Sequence, residues 1–191
     1  MRLQTVANQF ITKAYHRERS FVDVRATVPH KSYEVIRLYA EWEHFCHKLF
    51  VASVVRRPQY SDGGFAIPLS SYTGGYELAE DLKARTNGRP IYWGTSSVFA
   101  RWCNVIGPAN KNVLIDAMTS STSRAESLRD VRNFLAHRND STRTRVTGTY
   151  SFVDTHDLIG WLSAPALGGR SNLGLWVESL VDVASASTKR P

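Results

Sequence analysis

"KSYEVIRLYAEWEHFCHKLFVASVVRR", residues 31–57, carries the strongest periodicity in the chain. Val35, Leu38, Tyr39, Trp42, Phe45, Cys46 and Leu49 recur at spacings that put them on one side of an α-helix. The stripe is wide, so it predicts a central helix over residues 31–56, buried round much of its circumference and ended by Pro58. Working outward, Val6, Phe10, Ile11 and Ala14 mark an earlier helix over residues 3–19, with a break at Pro29. Downstream, residues 95–106 and 109–118 read as two short helices split by Gly107-Pro108. A further helix starts at a capping box, Ser123 with Glu126 three residues on, and ends near His137 or Arg138. Two final helices, 155–163 and 172–186, are joined by "PALGGRS".

Two stretches read differently. "SDGGFAIPLSSYTGGYE" and "TNGRPIYWG" are turn-rich, so residues 58–94 are expected to form an insertion with one short helix over 77–85. "TRTRVTGTYSFV", residues 142–153, alternates β-type residues and suggests a short strand or one β-hairpin. The expectation is an all-α antiparallel bundle in one domain over residues 1–191.

The chain has 42% hydrophobic and 21% charged residues, as a globular domain does. Its 24 Lys+Arg outnumber 17 Asp+Glu, and the net charge of +7 favours an anionic partner such as nucleic acid. Cys46 and Cys103 sit in apolar runs and read as reduced core thiols of a cytoplasmic protein. The N-terminus lacks the apolar centre of a signal peptide. Residues 35–55 are interrupted by Arg37, Glu41, Glu43, His44, His47 and Lys48, so no membrane segment is expected.

"RDVRNFLAHRND", residues 129–140, places chemistry on a helix. Leu128, Val131 and Leu135 define its core stripe, while Asn133 and His137 are i, i+4 neighbours on nearly the opposite side. Arg132 lies between the two faces, about 140° from His137 on an ideal helix. That is too far for joint action on one flat surface. Arginine's length, a bend in the last turn, or a second copy of the helix across a two-fold axis can bring them together. A forked guanidinium beside a titratable imidazole suits phosphate binding and proton transfer in RNA cleavage without a metal. On residue types alone, a solvated amphipathic helix holding one histidine is the simpler reading.

"RNFLAH" resembles the R-x4-6-H motif of HEPN-domain ribonucleases, including the polar residue after the arginine. "LYAEWEHF", residues 38–45, is similar to the YA-x-WE-x-F pattern on an earlier helix of some HEPN subfamilies. The two stretches lie within residues 31–56 and 120–140, and the turn-rich middle has no counterpart. The resemblance implies a helical bundle that dimerises so that two motifs line one cleft. It also implies metal-independent, cofactor-free cleavage of RNA that leaves a 2′,3′-cyclic phosphate, often as a toxin or phage-defence effector. Arg132 and His137 would then be the catalytic pair with Asn133 in support, flanked by Arg129 and Arg138. Glu43 matches the motif glutamate and would orient an arginine or histidine; equally, it fits a salt bridge with Lys48 or Arg37, or a pair with His47. Some HEPN toxins carry a modifiable tyrosine two residues after the histidine. Here that position is Asn139, which speaks against that mode of neutralisation by an antitoxin or regulatory partner. The alternative is an HEPN-like dimer that binds a nucleotide, RNA or protein without cutting.

Other clusters carry less. "EHFCHK" spreads Glu43, His44, Cys46 and His47 around a helix instead of converging them, so no metal site is expected. Tyr72, Tyr76, Tyr92 and Trp93 stand near Arg85 and Arg89, where they can stack single-stranded bases or form a small core of the insertion. Gly63-Gly64 and Gly74-Gly75 lack the lysine and hydroxyl of a phosphate loop.

Overall fold

The computed structural model describes residues 3–55, 62, 72–108, 110–120, 124–150 and 154–189. These residues are all-helical, and no strand occurs among them. Helix α1 spans Leu3–Val22 and α2 spans Val28–Val55. Pro29 does not separate them. It stands in the first turn of α2, where its missing N–H would have had no helical partner. The two helices pack antiparallel, since Phe10 meets Trp42 and Phe45, Lys13 pairs with Glu41, and Arg17 pairs with Glu34.

Helix α2 is the axis of the bundle. Its buried set runs from Ser32 to Val54 and includes all seven residues of the predicted stripe. Phe10 stacks on Phe45 at 4.9 Å and meets Trp42 edge-on at 5.4 Å. Trp42 is fully buried, and truncating so large a core side chain typically costs about 3–5 kcal/mol. The remaining elements surround this axis: α3 over Gly75–Arg85, α4 over Ser96–Ile106, α5 over Lys111–Thr119, α6 over Ala125–His137, α7 over Asp140–Tyr150, α8 over Thr155–Ser163 and α9 over Asn172–Ala186. Helices α3, α4, α6 and α8 all touch α2, while α9 packs against α1, α5 and α8.

Local chemistry sets the boundaries. Gly107 ends α4 in the left-handed region at φ 70°, which glycine enters without strain. The Asp154 carboxylate caps α8 by accepting from the Asp157 N–H at 2.9 Å, and the Ser171 hydroxyl does the same for α9 from Gly174 at 3.0 Å. Cys46 and Cys103 are free and buried. Burial lifts both thiols above their ordinary range, Cys103 to about 12, which makes them unreactive.

The strand or hairpin expected in residues 142–153 does not form. Residues 142–150 belong to α7, and 151–153 lie outside the described residues. Asn139 decides the outcome: its side-chain oxygen accepts from the Thr142 N–H and the Ser141 hydroxyl, both at 2.9 Å, as a helix cap does. Thr144 and Thr147 then return their hydroxyls to carbonyls four residues back, so the β-branched residues are satisfied within the helix. Asp140 and Ser141 open α7.

The expected capping box at the start of α6 involves Ser123, which lies outside the described residues. Glu126 makes a longer-range cap. Its carboxylate accepts from the backbone N–H of Ser96 at 3.1 Å and from the Ser96 hydroxyl, holding the first turn of α4 against the first turn of α6. No helix among the described residues is long and apolar enough to cross a membrane.

Candidate functional site

Helix α6 buries Ala125, Leu128, Val131, Phe134 and Leu135 against the bundle. Its opposite flank carries Arg129, Arg132 and Asn133, which are i, i+3 and i+4 and therefore share one face. That face looks across to α2, where Tyr39 and Glu43 are also i, i+4. Between them lies a cleft of about 330 Å³, closed by Tyr92, Thr95, Val98 and Arg145. Three arginines and one glutamate line it, and with Asp130 beside Arg129 and Arg145 the balance is modestly cationic.

Arg132 is held in place. Its guanidinium carbon sits 5.8 Å from the centre of the Tyr39 ring, and one terminal nitrogen donates to the Asn133 side-chain oxygen at 2.8 Å. Arg129 folds onto its neighbour Asp130 at 3.0 Å, and Arg145 approaches the same carboxylate at 3.8 Å. These solvent-accessible pairs, half-buried for Arg129 and Asp130 and exposed at Arg145, fix geometry more than they stabilise.

Glu43 is half-buried on the floor of the cleft. Burial pushes its carboxyl up from the ordinary range. The Arg132 charge, the Gly94 backbone N–H and the Tyr39 hydroxyl each pull it back. The close approach depends on Gly94: a Cβ there would stand 2.8 Å from the Glu43 Cγ and 3.0 Å from both the Trp42 ring and the Tyr39 hydroxyl. The buried Trp42 indole also donates to the Gly94 carbonyl at 3.0 Å, which ties the loop before α4 to α2. Tyr39 is raised further still, first by burial and then by the Glu43 charge. It therefore stays a neutral phenol and acts as a hydrogen-bond donor.

The predicted residues divide into two groups. Glu43, Arg129, Arg132 and Asn133 meet in the cleft. His137 and Arg138 do not line it. His137 ends α6 on the exposed surface, and Arg138 is the left-handed cap at φ 47° that turns the chain into α7. Lys48 and Arg37, weighed as partners of Glu43, lie elsewhere: Arg37 donates to the Tyr33 hydroxyl at 2.7 Å, and Lys48 faces a separate groove with Lys13 and His44. The "EHFCHK" residues diverge, with Cys46 in the core and His47 stacked on Trp93 at 5.3 Å. Burial lowers His47, with a smaller push from His44.

Tyr39, Thr95 and Arg145 join the site without having been singled out for it in the sequence. Tyr39 looked like one more core residue of the stripe. Arg145 was hidden by the strand-like alternation, although Asn139 was the available signal that a helix would carry it back over α6. No family model, curated protein or solved structure matches this chain.

Proposed function

We propose that this chain is a metal-independent endoribonuclease of the HEPN type, acting as a homodimer whose two copies share one cleft. The observation that carries the reading is the cationic cleft itself: Arg132 is braced by the Tyr39 ring and faces a carboxylate that burial disfavours. Costly half-buried charge beside braced arginines is characteristic of sites built for a ligand. Guanidinium groups suit the non-bridging oxygens of a phosphodiester.

In this mechanism the 2′-oxygen attacks the adjacent phosphorus and the bond to the 5′-oxygen breaks. The products are a 2′,3′-cyclic phosphate and a 5′-hydroxyl. The imidazole takes the 2′-hydroxyl proton, and water supplies the proton taken up by the leaving 5′-oxygen. Arg132 neutralises the charge gathering on the phosphoryl oxygens, Asn133 and Glu43 hold Arg132 in position, and Arg129 and Arg138 add to the field. His137 stands outside the cleft of its own chain, so the partner's copy of α6 is the source of the imidazole. Two reduced, buried thiols suit a reducing compartment, and we place the protein in the cytoplasm. A toxin or phage-defence role, restrained by an antitoxin or regulatory protein, follows from the same reading.

The second reading is a non-catalytic dimer that binds RNA, a nucleotide or a protein. It is favoured by the position of His137 outside the cleft. The deciding experiment incubates purified protein with labelled RNA in EDTA. Wild type should generate cyclic-phosphate ends. Arg132→Ala and His137→Ala should each slow the cut by roughly 100-fold or more, with circular dichroism and dimer mass unchanged. Undiminished cleavage by His137→Ala overturns the mechanism, and binding without new ends selects the second reading.

A further inference from the structure

A second cleft of about 400 Å³ adjoins the first, and Tyr92 and Val98 line both. Its other walls include Arg85, Arg89, Arg101 and Trp102. Arg85 is paired with Asp81 at 2.7 Å, but Arg89 and Arg101 have no carboxylate partner among the described residues. Cations gathered in a concavity repel one another, and an anionic ligand relieves that repulsion.

Tyr92 stands on the partition between the two clefts with 62% of its surface exposed. It is not a ring on a loose loop. The next residue, Trp93, is buried against Phe50 at 4.7 Å and stacks on His47. The Thr95 N–H returns to the Tyr92 carbonyl at 3.2 Å, and the Trp42 indole grips the Gly94 carbonyl. A rigid backbone therefore presents an aromatic face to solvent between two arginine-lined hollows. An exposed aromatic is costly as packing and useful as a platform.

We infer that the two clefts form one track for single-stranded RNA, with Tyr92 stacking a base at the partition and Arg89 and Arg101 holding phosphates beyond it. Naming RNA rests on the ribonuclease reading above. The track adds a substrate class, an unpaired strand several nucleotides long, because a duplex offers no free base face to Tyr92.

Fluorescence anisotropy with 5′-labelled 2′-O-methyl oligouridylates of two, four and eight nucleotides tests this, since the blocked 2′-oxygen prevents cleavage. Affinity should climb with length for wild type. Tyr92→Ala should weaken the octamer roughly 5- to 150-fold, whereas Tyr92→Phe, which keeps the ring, should bind as wild type does. The double variant Arg89→Ala/Arg101→Ala should make the salt dependence shallower by about 1.4 in log–log slope. Both sites of substitution are exposed, so folding is preserved. Octamer binding unchanged in both variants overturns the track while leaving the cleavage reading intact. A wild type that binds none of the probes and cuts no RNA overturns both. A polyglutamate peptide bound in place of the oligonucleotides overturns the track in favour of an acidic protein partner.

Discussion

Glu43 shows what the cleft costs the protein. A carboxylate whose pKa is raised on folding binds its proton more tightly in the folded chain than in the unfolded one, chiefly because burial disfavours the anion. Its contribution to stability is therefore fully present below the unfolded value. It is lost as pH rises through the higher, folded value. Above that window the ionised group remains as a burden, only partly offset by Arg132, the Gly94 N–H and the Tyr39 hydroxyl. Glu43→Gln keeps an acceptor for Gly94 and Tyr39 but never ionises. Thermal melting should find the variant more stable than wild type at pH 8, with the advantage fading towards pH 4. An advantage that grows on acidification would mean that the charge is stabilising and that Glu43 is an ordinary ion-pair residue.

At the scale of elements, α7 is the weakest link between fold and site. Val146 is the one buried hydrophobic residue of this helix among its described side chains, so capping and threonine back-bonding carry much of its stability. Helices this short gain little from propensity alone. Asn139→Ala removes the cap and should cost about 1 kcal/mol locally. Hydrogen exchange at residues 142–146 should then speed up roughly fivefold while α2 amides stay protected. Exchange unchanged in α7 would show that tertiary packing, not the cap, holds it.

The same helix explains how much was legible beforehand. Helices α2, α8 and α9 are visible in apolar spacing because each buries a continuous stripe, and the bounds of the last two, 155–163 and 172–186, are those expected. Helix α7 has almost no such stripe, and its Thr/Arg alternation imitates a strand until the Asn139 cap is given its weight. Arg132 and Glu43 were each marked by local wording. That Tyr39 and Gly94 complete their setting depends on how α2, α6 and the loop before α4 pack together, which one-dimensional spacing does not encode.

At the scale of the molecule, the decisive geometry is the separation of Arg132 from His137 around α6. The arginine is turned into the cleft of its own chain, and the histidine is exposed at the end of the helix. If the two act together, they act across a two-fold axis. Co-expressing Arg132→Ala chains with His137→Ala chains tests this directly, because each mixed dimer retains one intact arginine and one intact histidine on different chains. Random pairing makes half the dimers mixed, each with one of two pairs intact, so the preparation should cleave RNA at roughly a quarter of the wild-type rate. Each variant alone should be inactive. A mixed preparation as inactive as its parents, beside an active wild type, would contradict the shared cleft and place the site within a single chain.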